Sequence, residues 1–164
     1  MLTTIERMIF LKEVSFFQDM TVEQLQVLAS VCDEIQAPAD ARIFNMGDLG
    51  GALYVIVDGK VAIEREAARK GSSVRLSTLG PRAYFGEMNL FNDSARTETA
   101  ISLQDTHILR VRREPIIALC RQQPDLALEL INVLSERLAE TTDQIAGLTR
   151  TRPRELHQFF DKLS

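Results

Sequence analysis

Two helical patterns open the chain. Apolar side chains recur at intervals of three or four residues from Ile5 to Val14, which is the period of an amphipathic helix. A second pattern follows Thr21, and Gln24 stands three residues later, the spacing of a capping box that begins a helix. The largely apolar residues 14–17 predict a short turn between them. We therefore predict two N-terminal helices before the first strand.

The middle of the chain changes to the two-residue period of β-strands. Runs rich in β-branched residues at 53–57 and 60–64 flank Asp58-Gly59, which readily takes the positive φ angles of a tight turn, so we predict a hairpin there. Further strands are predicted at 42–44 and 74–79, and a last pair at 97–103 and 106–111. Short, regularly spaced strands between helices indicate an α+β, mainly β fold, a small antiparallel β-roll or jelly-roll barrel.

The helical period returns after the strands. Residues 114–121 predict a short helix, and Pro124-Asp125 begins a longer one, since proline is favoured in the first turn. This helix is expected to end at the tail that follows Gly147, residues 149–154. Its apolar positions have the alternating spacing of a heptad seam: Ala127, Ile131, Leu134, Leu138, Thr141, Ile145 and Leu148. Such a seam either pairs with a partner helix or packs the helix on the barrel, and we favour pairing.

Charge and cysteine usage remove several classes of function. The formal charge of −4 argues against a chain whose whole surface binds nucleic acid, and the arginines at 150, 152 and 154 are interpreted as a solvated linker. Cys32 and Cys120 lack the spacing of a metal or disulfide pair, so we expect reduced thiols and a cytoplasmic protein. No apolar run is long enough to insert into a membrane.

Catalytic chemistry is not indicated either. His107 and His157 are isolated in the pattern, and surface or strand positions explain them better than a metal site or a general base. The sequence also lacks the nucleophile and phosphate-loop motifs of common enzymes. We therefore expect no metal ion, no cofactor and no enzymatic activity.

One segment has the chemistry of a phosphate site. Gly86 allows backbone N–H groups to approach an anion closely, and the short helix expected to begin there adds the positive end of its dipole. Arg96 follows after a spacer and offers a planar fork that matches phosphate oxygens. Glu87 repels a lone phosphate but accepts a hydrogen bond from a hydroxyl, so a phosphate on a sugar fits all three residues.

This segment resembles the phosphate-binding cassette of the cyclic nucleotide-binding domain family, which includes catabolite activator proteins and protein kinase A regulatory subunits. The resemblance covers about residues 10–148 and implies a cyclic nucleotide ligand, cAMP or cGMP. It implies that Gly86, Glu87 and Arg96 hold the cyclic phosphate and the ribose hydroxyl, and that Thr97 adds a phosphate or guanine contact. The candidate ligand-binding residues are Phe85, Gly86, Glu87, Met88, Asn89, Arg96 and Thr97.

Three positions depart from the family pattern. Asn89 stands where alanine is usual, Ala95 where proline is usual, and Glu98 where a small residue is usual. If the strand from Arg96 is regularly pleated, Glu98 shares a face with Arg96 and competes with a phosphate for it. A bulge there would remove the conflict.

Two functions remain open. In the first, the domain is a regulatory module in which ligand orders residues 86–96 and moves the C-terminal helices, with Asn132, Ser135 or Glu136 facing the base. In the second, the cavity binds no ligand, and the domain serves oligomerisation or docking. A homodimer through the 124–148 helix is expected in either case.

The predicted parts follow the same order as the elements. They are a helical lead-in at 1–35, a β-roll at 36–112 with a polar mobile loop at 67–73 and the cassette at 83–99, two C-terminal helices at 113–149, and a tail at 150–164 with one short helix at 155–163. The tail is too short for the helix-turn-helix domain of the family's transcription regulators. We expect a fragment or a small subunit that acts on an effector domain or partner protein outside this chain, with no direct nucleic-acid contact.

Overall fold

The computed structural model describes residues 1–67 and 71–151, together with Gln158 and Asp161. Its helices are α1 (Thr4–Lys12), α2 (Val22–Val31), α3 (Arg113–Gln122) and α4 (Pro124–Thr151), and 3₁₀ turns lie at Ser15–Phe17 and Glu87–Asn89. Its strands are β1 (Asp33–Ala37), β2 (Arg42–Phe44), β3 (Ala52–Asp58), β4 (Val61–Glu66), β5 (Ser73–Leu79), β6 (Tyr84–Phe85), β7 (Thr99–Ser102) and β8 (Thr106–Arg112).

The strands form two antiparallel sheets of four strands each. The first sheet has the order β1-β8-β3-β6 and the second has the order β2-β7-β4-β5. Helices α1 and α2 precede the strands, and the pair α3 and α4 follows them. The predicted fold class, a mainly β roll flanked by N-terminal helices and a C-terminal helix pair, is therefore confirmed.

The hairpin predicted across Asp58-Gly59 is wrong, because β3 and β4 lie in different sheets. Gly59 has a positive φ of 101°, but a Cβ there would lie 2.5 Å from Oγ1 of Thr106. The start of β8 thus packs against the turn where the chain passes from one sheet to the other. The predicted last pair, now β7 and β8, is divided between the sheets in the same way. The hairpin that forms joins β4 to β5, with Glu66 opposite Ser73.

Strand β3 is covered on both faces. Its residues from Ala52 to Ile56 are all buried. Leu53 and Val55 pack under the helices, whereas Tyr54 and Ile56 face the interior between the two sheets. A strand covered on both sides is typically a continuous apolar run rather than an alternating one.

Helix α2 begins at its predicted cap, and α1 begins at a cap that was not predicted. Thr21 and Gln24 form a capping box at the start of α2, and an equivalent box precedes α1. In the predicted turn between them, Phe16 and Phe17 are fully buried, with ring centroids 5.0 Å apart in an edge-on arrangement. These aromatic rings join the helices to the outer face of the first sheet.

Two further elements differ from expectation. Strand β1 was not predicted and begins at Asp33, since Ile35 and Ala37 give only a short alternation among polar residues. Helix α4 continues through Gly147 to Thr151, two residues beyond the end predicted at 149. One glycine weakens a helix by only about 1 kcal/mol relative to alanine, which does not force it to stop.

Some predictions lie outside the described residues. Residues 68–70 of the predicted loop, most of the 155–163 helix and His157 belong to these parts of the chain. The domain boundaries stay predictions. No helix in the described ranges is both long and apolar enough to cross a bilayer.

The described residues also contain no group of three metal-binding side chains. Cys32 is buried, Cys120 is half-buried, and both are free thiols. His107 lies on β8, where its Nε2 is 3.0 Å from Oε2 of Glu34.

Candidate functional site

The cassette begins where β6 leads into Gly86 and the 3₁₀ turn Glu87–Asn89. Gly86 has a φ of 85°, a conformation that residues with a side chain rarely adopt. A Cβ here would lie 2.9 Å from Nη1 of Arg96, 3.0 Å from the backbone oxygen of Ala52 and 3.2 Å from Cδ2 of Tyr54. Both the backbone conformation and this close approach require glycine.

Arg96 is held rigidly beneath that turn. It is only 4 % exposed. Its Nη1 donates to the backbone oxygen of Gly86 and its Nη2 to that of Ala52, each at 2.8 Å. The guanidinium also lies over the Phe44 ring, with Cζ 4.3 Å from the ring centroid. Main-chain carbonyls and an aromatic face therefore fix its position.

The charge of Arg96 has no carboxylate partner among the described residues, and its Nε has no hydrogen-bond partner there. Burial lowers the pKa of the Arg96 guanidinium from its ordinary value, against smaller contributions from Tyr54, Glu87 and Asp48. A buried cation without an ion-pair partner is unfavourable. An anion entering beside Arg96 would supply that partner.

Asn89 positions the turn that leads to Arg96. It is 4 % exposed, and its Nδ2 donates to Oγ of Ser94 at 2.7 Å and to the backbone oxygen of Ala95 at 3.0 Å. Its Cβ fits only because position 50 is glycine, where a Cβ would lie 2.3 Å away. Asn89 and Ala95, two departures from the family pattern, thus belong to the same turn. Hydrogen bonds from the Asn89 amide hold this turn, which a proline at position 95 would otherwise restrict.

Glu87 is buried and forms an ion pair with α4. Its Oε1 lies 3.0 Å from Nη1 of Arg137. The Arg137 guanidinium also covers the Tyr84 ring, with Cζ 4.5 Å from the centroid. This arginine was missed in the sequence, because a charged residue on a long helix is usually solvated.

A cavity of about 820 Å³ lies between the second sheet, the cassette and α4. This volume is within the range of small-molecule sites, about 300–1,000 Å³. All seven candidate residues lie on its wall, with Phe85, Asn89 and Arg96 buried and Met88 and Thr97 exposed at the rim. Helix α4 contributes Leu134, Arg137, Leu138, Glu140, Thr141 and Gln144. The predicted positions Asn132, Ser135 and Glu136 are not on the wall, so that prediction is wrong.

Glu98 does not pair with Arg96. The chain bends at 97–98 and β7 begins only at Thr99, so the regular strand predicted from Thr97 is wrong. Glu98 instead lies on the cavity wall, without an ion pair from any described residue. Burial raises the pKa of Glu98, and Glu87 raises it further, while Arg65 and Arg137 oppose the shift.

Two facing four-stranded sheets define a β-roll domain, and the buried Arg96, which has no carboxylate partner among the described residues, makes the cavity beside it a candidate anion site. The sequence model of the family described as "Cyclic nucleotide-binding domain" matches residues 34–123, more than half of the chain. The chain belongs to this family.

Individual relatives agree with that assignment. The cyclic AMP receptor protein of Thermus thermophilus is 36 % identical over 124 residues, which are 76 % of this chain and 57 % of the relative. The cAMP-dependent protein kinase regulatory subunit of Dictyostelium discoideum is 30 % identical over 113 residues, 68 % of this chain and 35 % of the relative. The crystal structure of the sensor domain of the transcriptional regulator DNR from Pseudomonas aeruginosa has a TM-score of 0.75 and 25 % identity, covering 85 % of this chain and 93 % of that one. The chain thus spans about half or less of the two sequence relatives.

Proposed function

We propose that this domain binds a cyclic nucleotide, cAMP or cGMP, and converts binding into movement of α3 and α4. The observation that carries the proposal is Arg96, a buried guanidinium that lacks a carboxylate partner among the described residues and lies beside the glycine turn of an open cavity. One cyclic phosphate would neutralise it. The role is regulatory, and catalysis is not part of it.

Each cassette residue has a role in this proposal. Arg96 and the backbone N–H groups after Gly86 hold the phosphate, with the Thr97 hydroxyl at the rim. Glu87 accepts a hydrogen bond from the ribose hydroxyl. Phe85, Met88 and Asn89 shape the wall, Phe85 through its stacking on the Tyr54 ring at 5.2 Å.

Two contacts connect the cassette to the C-terminal helices. Glu87 pairs with Arg137 on α4. Arg113, the first residue of α3, places Nη1 2.5 Å from Oδ1 of Asp93 and 3.4 Å from the backbone oxygen of Asn92. A ribose hydroxyl that donates to Glu87 would compete with Arg137 for the same carboxylate. The bound and free domains would then favour different arrangements of α4. A coupling of about 1–3 kcal/mol is enough for such a switch.

Thermal unfolding with nucleotides tests the proposal. At about 100 times its Kd, cAMP or cGMP is expected to add about 2.7 kcal/mol to the free energy of unfolding, which raises Tm by about 5–10 °C in a chain of this size. Adenosine, which has no phosphate, serves as the control and is expected to leave Tm unchanged. Differential scanning fluorimetry with an external dye measures the shift.

A second candidate function is a ligandless module for oligomerisation or docking. The Glu98 carboxylate on the cavity wall favours it, since it opposes an incoming anion. No rise in Tm with either cyclic nucleotide would contradict the first function and favour this alternative.

Helix α4 supports a homodimer in either case. Its core face consists of Leu126, Leu130 and Val133, all buried, whereas Ile131 is 57 % exposed and Ile145 is 40 % exposed. These exposed residues lie on the predicted heptad seam rather than on the core face. We propose that a second copy of α4 covers them.

Replacing Ile131 and Ile145 together with lysine is expected to dissociate that dimer. Burial of one such side chain contributes about 1.5–3 kcal/mol, and each substitution counts twice in a two-fold interface, so the dimer Kd should rise at least about 100-fold. Leu128→Lys is the control, since Leu128 is 65 % exposed and lies off the seam. Light scattering during size-exclusion chromatography measures the mass. A parent protein that is monomeric at high concentration would contradict the dimer.

The output of the domain is also a proposal. We infer an effector domain or partner protein that is moved by α3 and α4, in the cytoplasm and without direct nucleic-acid contact by this domain. The names of the two sequence relatives, a receptor protein and a regulatory subunit of a kinase, support it.

A further inference from the structure

Three positions depart from the family pattern, and Glu98 is the one whose side chain lines the cavity without a hydrogen bond to any described residue. Asn89 holds a turn, and the alanine at 95 accepts its hydrogen bond. Glu98 lies on the same wall as Arg96, and no described residue forms a hydrogen bond or ion pair with its carboxylate. A half-buried carboxylate in this position needs a different explanation.

The charged side chains around the cavity determine which ligand charge it can accept. Arg96 is the cation without a carboxylate partner, because Arg137 is already paired with Glu87. Glu140 of α4 also lies on the wall, and Arg65 of β4 acts on Glu98 from the second sheet. Glu98 therefore adds a negative charge, with Glu87 and Glu140, to the wall on which Arg96 is the described cation without a carboxylate partner.

A cyclic phosphodiester carries one negative charge, and the matching phosphomonoester carries almost two at pH 8, since its second pKa is about 6. The repulsion from a fixed carboxylate is proportional to the charge on the ligand. Glu98 therefore disfavours a monoester about twice as strongly, in free energy, as a cyclic diester. Arg96 alone would attract the dianion more strongly.

We propose that Glu98 is a specificity-determining residue that restricts the cavity to ligands with a single negative charge. This inference rests on the proposed function and deepens it, because it states how the site distinguishes a cyclic nucleotide from its ring-opened product. Burial and Glu87 raise the pKa of Glu98 despite Arg65 and Arg137, which agrees with a carboxylate short of favourable partners.

The test compares cAMP and 5′-AMP in the parent protein and in Glu98→Gln, by isothermal titration calorimetry at pH 8. If removal of the charge strengthens cAMP binding by a given factor, the factor for 5′-AMP should be about its square, for example about 10-fold and about 100-fold. Each ligand is compared with itself, so differences in ligand shape cancel. Glu129→Gln on the exposed side of α4 makes the same change in net charge outside the cavity and is expected to alter neither affinity by more than about twofold.

The outcomes separate this inference from the proposed function. If cAMP binds the parent protein and both ligands gain by equal factors, or neither gains, charge selection by Glu98 is refuted while the proposed function stands. If neither the parent protein nor Glu98→Gln binds either ligand, both this inference and the proposed function are refuted. Glu98→Ala, which restores the small residue usual in the family, should reproduce the pattern of Glu98→Gln. A gain seen only with glutamine would mean that the new amide binds the ligand, and would overturn the inference.

Discussion

Replacing Arg96 with alanine is expected to weaken binding of cAMP or cGMP by about 2–5 kcal/mol, which is a loss of roughly 30-fold to several thousand-fold. The reason is that Arg96 is buried and supplies the one cavity cation without a carboxylate partner among the described residues. Its fork is already oriented by Gly86 and Ala52, so the ligand gains the full interaction without ordering the side chain. Calorimetric titration measures the change.

Two controls separate binding from folding in that experiment. Arg75→Ala removes a half-exposed arginine that pairs with Glu64 outside the cavity, and is expected to change affinity and stability by less than about 0.5 kcal/mol. Arg96→Lys retains the charge but loses the fork, so its affinity should fall between those of the parent protein and Arg96→Ala. Unchanged affinity in a folded Arg96→Ala protein would eliminate the phosphate site.

Gly86→Ala should affect both stability and binding. The positive φ of 85° costs an alanine about 1–2 kcal/mol. The new methyl would also lie within 3.0 Å of both Arg96 and the Ala52 carbonyl, so either the arginine or strand β3 must move. We expect a loss of stability above about 2 kcal/mol in urea unfolding, together with a loss of nucleotide binding of at least tenfold.

Gly71→Ala is a closely matched control for this substitution. Gly71 has a φ of 84°, but a Cβ there would meet no atom of the described residues within 4 Å. It should therefore show the backbone strain alone and retain full affinity. If the two alanine variants lose the same stability and both bind normally, the close approach at Gly86 has no role in the site.

The strands were predictable, but their partners were not. A Val-rich run and an Asp-Gly turn indicate where strands start and stop, because both signals are local. The choice between a hairpin and a crossing to the other sheet depends on Thr106, which packs against Gly59 from far along the chain. The one local sign was the unbroken apolar run of β3, which indicates a strand covered on both faces and therefore a central one.

The cassette was predictable for the same reason. Gly86, Glu87 and Arg96 lie within one short segment, so their spacing alone brings them together. Arg137 was not predictable, since it reaches Glu87 only through the packing of α4 on the first sheet. Glu98 does line the cavity, but its expected pairing with Arg96 depended on a strand predicted from Thr97, and that strand begins two residues later, at Thr99.

The two arginine–ring contacts have a practical consequence. The chain contains no tryptophan and only two tyrosines. The Cζ of Arg96 lies 5.7 Å from the Tyr54 ring, and that of Arg137 lies 4.5 Å from the Tyr84 ring. Every intrinsic fluorophore that absorbs near 280 nm therefore borders one of the two guanidinium groups, and the ultraviolet emission of the unlabelled protein can serve as an optical probe of occupancy.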